Sequence, residues 1–388
     1  GAQAVAAEDL VSPWQTRYWG FGRTLQVEHP ELLGTCVDLG NDEDSLSEEL
    51  DLLIAEFGRS NTETEIAIRK GTRSVARLAR PKPIDELSTK PNQTPVELDA
   101  DASYLVTGGV GALGLQVAQF LATAGARHLL LTGRSGVSTD DQRTALKALE
   151  DAGVSVEVVA ADIGKADDVA RVLALAPHLR GIVHAAGVLD DGMLMQQNAE
   201  RFKAVASPKV DGAWHLHTQT LEHSLDFFVL FSSVASVIGS PGQSNYASAN
   251  AFMDGLAHYR KQQGLPATAI NWGPWADVGM AASEVVLRRL MHDGWQAMTA
   301  SQGCDFIAHL LTARDLAQAA VIPVEWGTFV QRIPGAADWS TLKHLIPTDG
   351  ASGLTASAAE AAAQRVKAAE ANERADLITS YLLERIAQ

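Results

Sequence analysis

An α/β fold built on a doubly wound parallel sheet is predicted by three observations. Between residues 103 and 273 short apolar runs alternate with helix-like segments, those runs lack polar alternation, and the first of them opens into a glycine-rich turn. Strands apolar on both faces belong to a parallel sheet covered by helices on each side.

Taken in order, the elements are strand SYLVTG (103–108), a helix from about 111 to 124, strand HLLLTG (128–133), a helix around 139–152 and strand VSVEVVAAD (154–162). A short helix after 165, strand GIVHAAG (181–187), a helix around 198–220, strand FFVLFSS (227–233), a helix over 245–262 and strand ATAINWG (267–273) follow. This alternation reads as a Rossmann-type domain. Beyond 274 come an apolar helical stretch (about 281–298), a helix near 301–312 and a last strand, AAVIPV (319–324).

At 388 residues the chain exceeds a comfortable single core. Residues 1–80 hold too few strand-like pieces for a complete sheet, so they are expected to complete a sheet begun elsewhere, with an edge left exposed and stability in isolation reduced. The Pro-rich, aperiodic segment 81–100 reads as a linker to a catalytic unit over 101–350. Residues 351–374 are an Ala-rich linker, and ADLITSYLLERIAQ (375–388), amphipathic at three-and-four spacing, reads as the first helix of a following domain.

Composition excludes several classes. The net charge of −16 argues against a general nucleic-acid surface and against attraction to anionic membranes, so an acidic partner must meet a local basic patch. Cys36 and Cys304 are too few for a disulfide framework or a thiolate metal site, and the 11 histidines form neither HxxxH nor HExxH, so no metal is expected. No apolar run approaches the ~20 residues of a membrane span. The opening GAQAVAAEDL lacks the pattern of a signal peptide, and a cytoplasmic location is expected.

Immediately after the first strand stands TGGVGALG, with Gly108, Gly111 and Gly114 at spacing three and three. Glycines there let the backbone turn tightly and approach a pyrophosphate, while helix N-terminal amides face its charge. Thr107, Gly109 and Leu113 belong to the same turn. Nucleoside triphosphate binding is disfavoured, because no GK[ST] follows. The second strand ends in Arg134 and Ser135, where an NAD enzyme usually carries an acid; a guanidinium suits a 2′-phosphate, which favours NADPH, the alternative being a plain surface arginine. Asp162 and Ile163 end the third strand, the acid placed to accept from an adenine amine. Ala185, Ala186 and Gly187 end the fourth with small side chains that leave room for the cofactor.

Ser233 ends the fifth strand, Tyr246 lies thirteen residues later, and Asn250 follows the tyrosine by four, on the same helical face. A short-chain dehydrogenase normally carries Tyr-x-x-x-Lys, whose ammonium lowers the phenol's pKa. Here Asn250 holds the lysine's place, and Lys209 on the preceding helix is the candidate source of charge.

This exchange of lysine and asparagine, with YLVTGGVGALG, LLLTGRSG, HAAGVLDDGML, PKVDGAWHLH, FVLFSSVASVIGSPGQSNYASANAFMDGLA and AINWGPW, resembles the ketoreductase domain of modular type I polyketide synthases and the related animal fatty acid synthase. The matching pieces run from 104 to about 275. Residues 1–80 resemble the second half of that family's cofactor-free structural subdomain, and 375–388 resemble the start of an acyl carrier protein domain.

The resemblance implies that Tyr246 donates a proton, Ser233 binds the substrate carbonyl oxygen, Lys209 supplies positive charge and Asn250 organises the proton relay. It implies NADPH as cofactor, a phosphopantetheine-linked β-ketoacyl chain on an acyl carrier protein as substrate, and neighbouring synthase domains as partners. Leu189, Asp190 and Asp191 form the LDD motif that in the family marks the B type and a D-configured hydroxyl, and Gln243 belongs to the same substrate-directing set. Ile238 stands where A-type domains carry tryptophan, and Ser248 where epimerised-substrate B types carry proline. The segment from Met280 to about Trp295, with Val285, Val286, Leu287, Leu290 and Met291, reads either as a lid or as ordinary core. The alternatives to a reductase are a non-reducing cofactor-binding epimerase, a structural scaffold domain of the same megasynthase and a free-standing alcohol dehydrogenase.

Overall fold

The computed structural model describes residues 1–5, 9–32, 34–40, 46–59, 63–80, 96–276, 284–313, 315–333 and 335–346. Most of the linker expected over 81–100, the linker over 351–374 and the carrier-like helix over 375–388 lie outside the described residues. So do the first residues of the segment read as a lid or core, with the side chains of Val285 and Val286.

The N-terminal part comprises helix α1 (Pro13–Glu28), strand β1 (Cys36–Leu39), helix α2 (Leu46–Phe57) and strands β2 (Glu65–Arg69) and β3 (Thr72–Val75). Pro13 opens α1, where its missing N–H leaves no bond unmade. β1 pairs in parallel with β2, and β2 pairs antiparallel with β3, across a tight turn at Lys70 and Gly71 that holds both residues at positive φ. Three strands thus stand where an incomplete sheet was expected, with β1 and β3 as the outer ones.

The second part runs β4 (Ser103–Thr107), α3 (Ala112–Thr123), β5 (His128–Gly133), α4 (Asp140–Asp151), β6 (Ser155–Ala160), α5 (Ala166–Leu173), β7 (Leu179–His184), α6 (Ala199–Ala206) and α7 (Gly212–Gln219). It continues with β8 (Phe227–Ser233), the single turn α8 (Ala235–Ile238), α9 (Ser244–Gln262), β9 (Thr268–Trp272), α10 (Glu284–His292), α11 (Ala300–Thr312), β10 (Gln318–Val321) and α12 (Trp326–Arg332). Seven strands form one sheet in the order β10-β9-β8-β7-β4-β5-β6, and every pairing is parallel. The doubly wound sheet is therefore observed.

Strand order reverses at β4, which pairs with β5 on one side and β7 on the other. Ligands of such sheets bind in the crevice beyond the carboxyl ends of the strands at that reversal. One face is sealed by a core that joins Leu105, Ile182, Phe228 and Leu230 to Val169 of α5, Leu216 of α7 and Phe252 of α9. The other face joins Val106, Leu131 and Val229 to Val117 and Leu121 of α3, Leu146 of α4 and Ile307 of α11. A third cluster sets Ile238 against Trp295, Trp326 and Phe329, which buries Ile238 beside α12. Leu290 of α10 packs against this cluster, whereas Met291 is exposed.

The single helix expected over 198–220 is two. α6 ends at Ala206, residues Ser207–Asp211 make one π-helical turn, and α7 begins at Gly212. Pro208 has no N–H to give to an α-helical ladder, and the wider turn is where Lys209 leaves the helix surface for the interior.

α1 lies directly on α9. A Cβ added at Gly20 would stand 2.3 Å from the Ala247 carbonyl oxygen and 2.6 Å from its carbonyl carbon, so the two backbones meet at this crossing. Gly255 repeats the arrangement further along, against Thr16 and Pro13. Trp14 adds ring contacts to Phe252 at 4.8 Å and Trp214 at 5.6 Å. The N-terminal helix is thus the outer wall of α9. Gly20→Ala is expected to destabilise the protein by about 1–3 kcal/mol, as for other overpacked contacts. Denaturant unfolding with an unchanged slope checks this, and a wild-type midpoint would contradict the close crossing.

Candidate active site

The turn after β4 is built from closely packed glycines. Gly108 has φ +68, and a Cβ there would lie 3.0 Å from the backbone of Ala185 and Ala186 beyond β7, so only glycine allows the two strand ends to close up. Gly111 is the N-cap of α3 and offers no capping side chain, which leaves the first amides of a twelve-residue helix for an external acceptor. Gly109 and Gly114 are buried beneath the turn, and Leu113 is half-buried at its side.

At the neighbouring strand ends, Arg134 and Ser135 after β5 are exposed, Asp162 is half-buried and Ile163 is buried. Asp162 already accepts from Gly164 N at 3.2 Å and pairs with Lys165 at 3.7 Å. Thr107 does not open on the crevice: it is buried, and its hydroxyl meets His184 Nδ1 at 2.7 Å, which ties β4 to β7. Burial holds His184 neutral, with its pKa pulled down to about 3. The residues present fit a dinucleotide, with a pyrophosphate on the uncapped helix start and an exposed cation one strand away.

Lys209, Ser233, Tyr246 and Asn250 come together at the end of β8. The Asn250 side chain forms the link. Its Nδ2 donates to the Tyr246 carbonyl oxygen at 2.8 Å, and its Oδ1 accepts from Lys209 Nζ at 3.0 Å. Lys209 also donates to the Phe231 carbonyl at 3.1 Å and stands 5.1 Å over the Tyr246 ring. A lysine in place of Asn250 would put its charge on α9 itself. Here the charge arrives from the π-turn, and the amide receives it. Gly187 makes room, since a Cβ there would come within 2.9 Å of Lys209 Cε.

Burial governs the charges. It pulls Lys209 down to about 7, opposed by the carboxylate of Asp254. It pushes the Tyr246 phenol up to about 12; the Asn250 and Ser233 side chains beside it act the other way, and Asp191 adds to the rise. A protonated phenol next to a cation that titrates near neutrality is an arrangement able to give up a proton.

The two acids of the LDD motif have different surroundings. Asp190 accepts from Arg201 Nε at 2.8 Å and Nη2 at 2.6 Å, and its backbone carbonyl takes a bond from Asn245 Nδ2 at 2.8 Å. Asp191 lies at the exposed rim and accepts from Gln243 Nε2 at 3.0 Å. Partial loss of water, and then the charge of Asp190, push the Asp191 carboxyl up. Leu189 is exposed at the same rim.

Sequence reasoning missed three groups. Asn245 closes the LDD loop against the start of α9 and accepts from Tyr246 N at 2.7 Å. Asp254 continues the Tyr246–Asn250 face by one more turn, receives Asn271 Nδ2 at 2.9 and 3.0 Å and Ser236 Oγ at 2.6 Å, and is buried. Its spacing of four from Asn250 was a usable signal. Arg201 was visible only as a charge in an amphipathic helix.

Comparison with known proteins agrees with this geometry. The family model for the KR domain matches residues 102–277. The chain is 39% identical over 349 residues to polyketide synthase GfsA of Streptomyces halstedii, covering 88% of this chain and 5% of that protein. It is 39% identical over 307 residues to the spectinabilin polyketide synthase system protein NorB of Streptomyces orinoci, covering 76% of this chain and 14% of that one. The chain thus spans a small fraction of the curated relatives it matches. Among solved structures, an A-type ketoreductase from a modular polyketide synthase superposes with TM-score 0.76 at 34% identity, over 89% of this chain and 72% of that one. The first ketoreductase of the tylosin synthase does so with TM-score 0.75 at 31% identity, over 91% and 74%. A C2-type ketoreductase from a modular polyketide synthase reaches TM-score 0.76 at 27% identity, over 89% and 73%. With a doubly wound sheet, the displaced lysine and relatives of this identity and coverage, the chain belongs to the ketoreductase domains of modular polyketide synthases.

Proposed function

We propose that this chain reduces the β-ketone of an acyl thioester held on an acyl carrier protein, with NADPH as cofactor, and delivers a D-configured hydroxyl. The observation that carries the reading is the Lys209–Asn250–Tyr246 connection beside Ser233. A carbonyl that receives hydride becomes an alkoxide, which needs a preplaced donor and an acid. Bound NADPH would supply the hydride. Ser233 holds the carbonyl oxygen, Tyr246 gives that oxygen its proton, and Lys209 stabilises the phenolate left behind, with Asn250 holding the ammonium in place. The glycine turn and the start of α3 hold the pyrophosphate, and Arg134 prefers a 2′-phosphate to a 2′-hydroxyl. Asp191 with Gln243 borders the entry of the acyl chain and selects the ketone face. The carrier protein and the neighbouring synthase domains are the partners this reading requires.

A β-ketoacyl N-acetylcysteamine thioester tests the reading. Wild type is expected to consume NADPH in preference to NADH and to yield mainly D-hydroxyl product. Tyr246→Phe is expected to lose a factor of ~10³ in turnover, within the usual range for removal of a positioned acid, while still binding NADPH. Predominantly L product would sink the stereochemical part. NADPH binding without turnover in wild type would instead favour the epimerase or scaffold.

The pH dependence has a definite sign. Lys209 is pulled down to about 7 from 10.5, so its charge is present below neutrality and is lost as pH rises through about 7. Turnover at saturating substrate is therefore expected to fall on the alkaline side of neutrality, and Lys209→Met to be slow and flat over the same range. Stability runs the other way: the unfolded chain binds the proton up to about 10.5, so the cost of burying this cation fades as pH rises between the two values. An alkaline limb that survives in Lys209→Met would assign the titration to another group.

A further inference from the structure

Glu28 is the last residue of α1, far in sequence from Ser233, Tyr246 and the LDD motif, yet its carboxylate spans the mouth of the site. Oε1 accepts from Gly242 N at 2.8 Å and Oε2 accepts from Leu194 N at 2.7 Å. Gly242 belongs to the loop 239–243 that leads into Tyr246, and Leu194 to the loop 189–197 that carries the LDD motif. The same two loops meet through Gly192 N to the Gly242 carbonyl at 2.8 Å and through Gln243 to Asp191 at 3.0 Å.

The support is continuous along α1. One turn before Glu28, Thr24 Oγ1 accepts from Ser240 N at 3.4 Å, and the Arg23 carbonyl backs onto Gly239, where a Cβ would lie 2.4 Å away. Gly239 and Gly242 both have positive φ, so the loop turns twice against the helix. A carboxylate suits the junction because it offers an acceptor to each of two amide donors. Glutamine offers one acceptor and an amide that repels the second donor.

We propose that Glu28 is a positioning residue for substrate selectivity: its carboxylate fixes the gap between loops 189–197 and 239–243 and thereby the direction in which the acyl chain lies over the cofactor. The selectivity half rests on the reductase reading, whereas the clamp itself does not. The clamp leaves the glycine turn, Arg134 and the Lys209–Asn250 link untouched, so it acts on acyl-chain geometry and not on cofactor binding.

The test uses the whole chain with Glu28→Gln and Glu28→Ala, and as control Arg77→Ala, which breaks the Arg77–Glu63 ion pair of the same N-terminal part. Hydrogen exchange is followed in peptides spanning the two loops, together with product hydroxyl ratio, KM, kcat and NADPH affinity. Loss of one charge-assisted bond in Glu28→Gln, and of both in Glu28→Ala, is expected to speed exchange in the two loops together by about tenfold or more. A comparable fall in the D-to-L ratio is expected with a raised KM, while NADPH affinity and melting temperature stay close to wild type. Exchange that stays at the wild-type level in both loops overturns the clamp, and so does an equal change in Arg77→Ala. Faster exchange with an unchanged product ratio overturns the selectivity role. A wild-type chain that reduces nothing overturns the reductase reading and the selectivity half with it, and the exchange data still decide the clamp.

Discussion

The side-chain amide of Asn250 is the joint on which the site depends. It accepts from a buried ammonium with its oxygen and holds the Tyr246 carbonyl with its nitrogen, so the helix that bears the phenol and the turn that bears the charge have one fixed relation. A buried lysine without a counter-ion in contact is costly, and this one is held by an amide oxygen and the Phe231 carbonyl, with the charge of Asp254 behind. The arrangement keeps the cation close to its uncharged form at neutrality. A group so balanced responds strongly when negative charge develops beside it.

Beneath that joint the polar groups form a connected base. Asn271 of β9 donates to Asp254 and to Ser232, Ser232 donates to the Asn250 carbonyl at 3.3 Å, and Ser236 donates to Asp254. Arg23 of α1 reaches the Ser236 carbonyl at 2.5 Å while gripping Glu65 of β2 with two nitrogens. The N-terminal part is therefore mechanically continuous with the site. It supplies the wall behind α9, a cation for the buried base and the carboxylate between the two rim loops. Low local dielectric makes such a network rigid when every member is satisfied.

How much of this was legible follows from range. Strands β4, β5, β7 and β8 could be read directly, because burial on both faces leaves an uninterrupted apolar run. Gly108 could be read because its backbone conformation admits few other residues. Tyr246 and Asn250 share a helix face, so spacing alone put them together. The π-turn at Ser207–Asp211 was hidden, since a proline inside a helical pattern signals a break without saying that the next residue turns inward. The separate uses of Asp190 and Asp191 were hidden too, because they depend on Arg201 and Gln243. Glu28 was beyond reach: its partners lie 166 and 214 residues away, and nothing local distinguishes it from a solvated acid at a helix end.

The central claim is that Asn250 acts by holding Lys209, and a double-mutant cycle in kcat with Lys209→Met and Asn250→Ala measures it most directly. If the two side chains work as one unit, the double variant is expected to be within about twofold of the slower single variant. Effects that multiply would mean that the amide and the ammonium serve the tyrosine independently, and the account of the displaced lysine would be wrong.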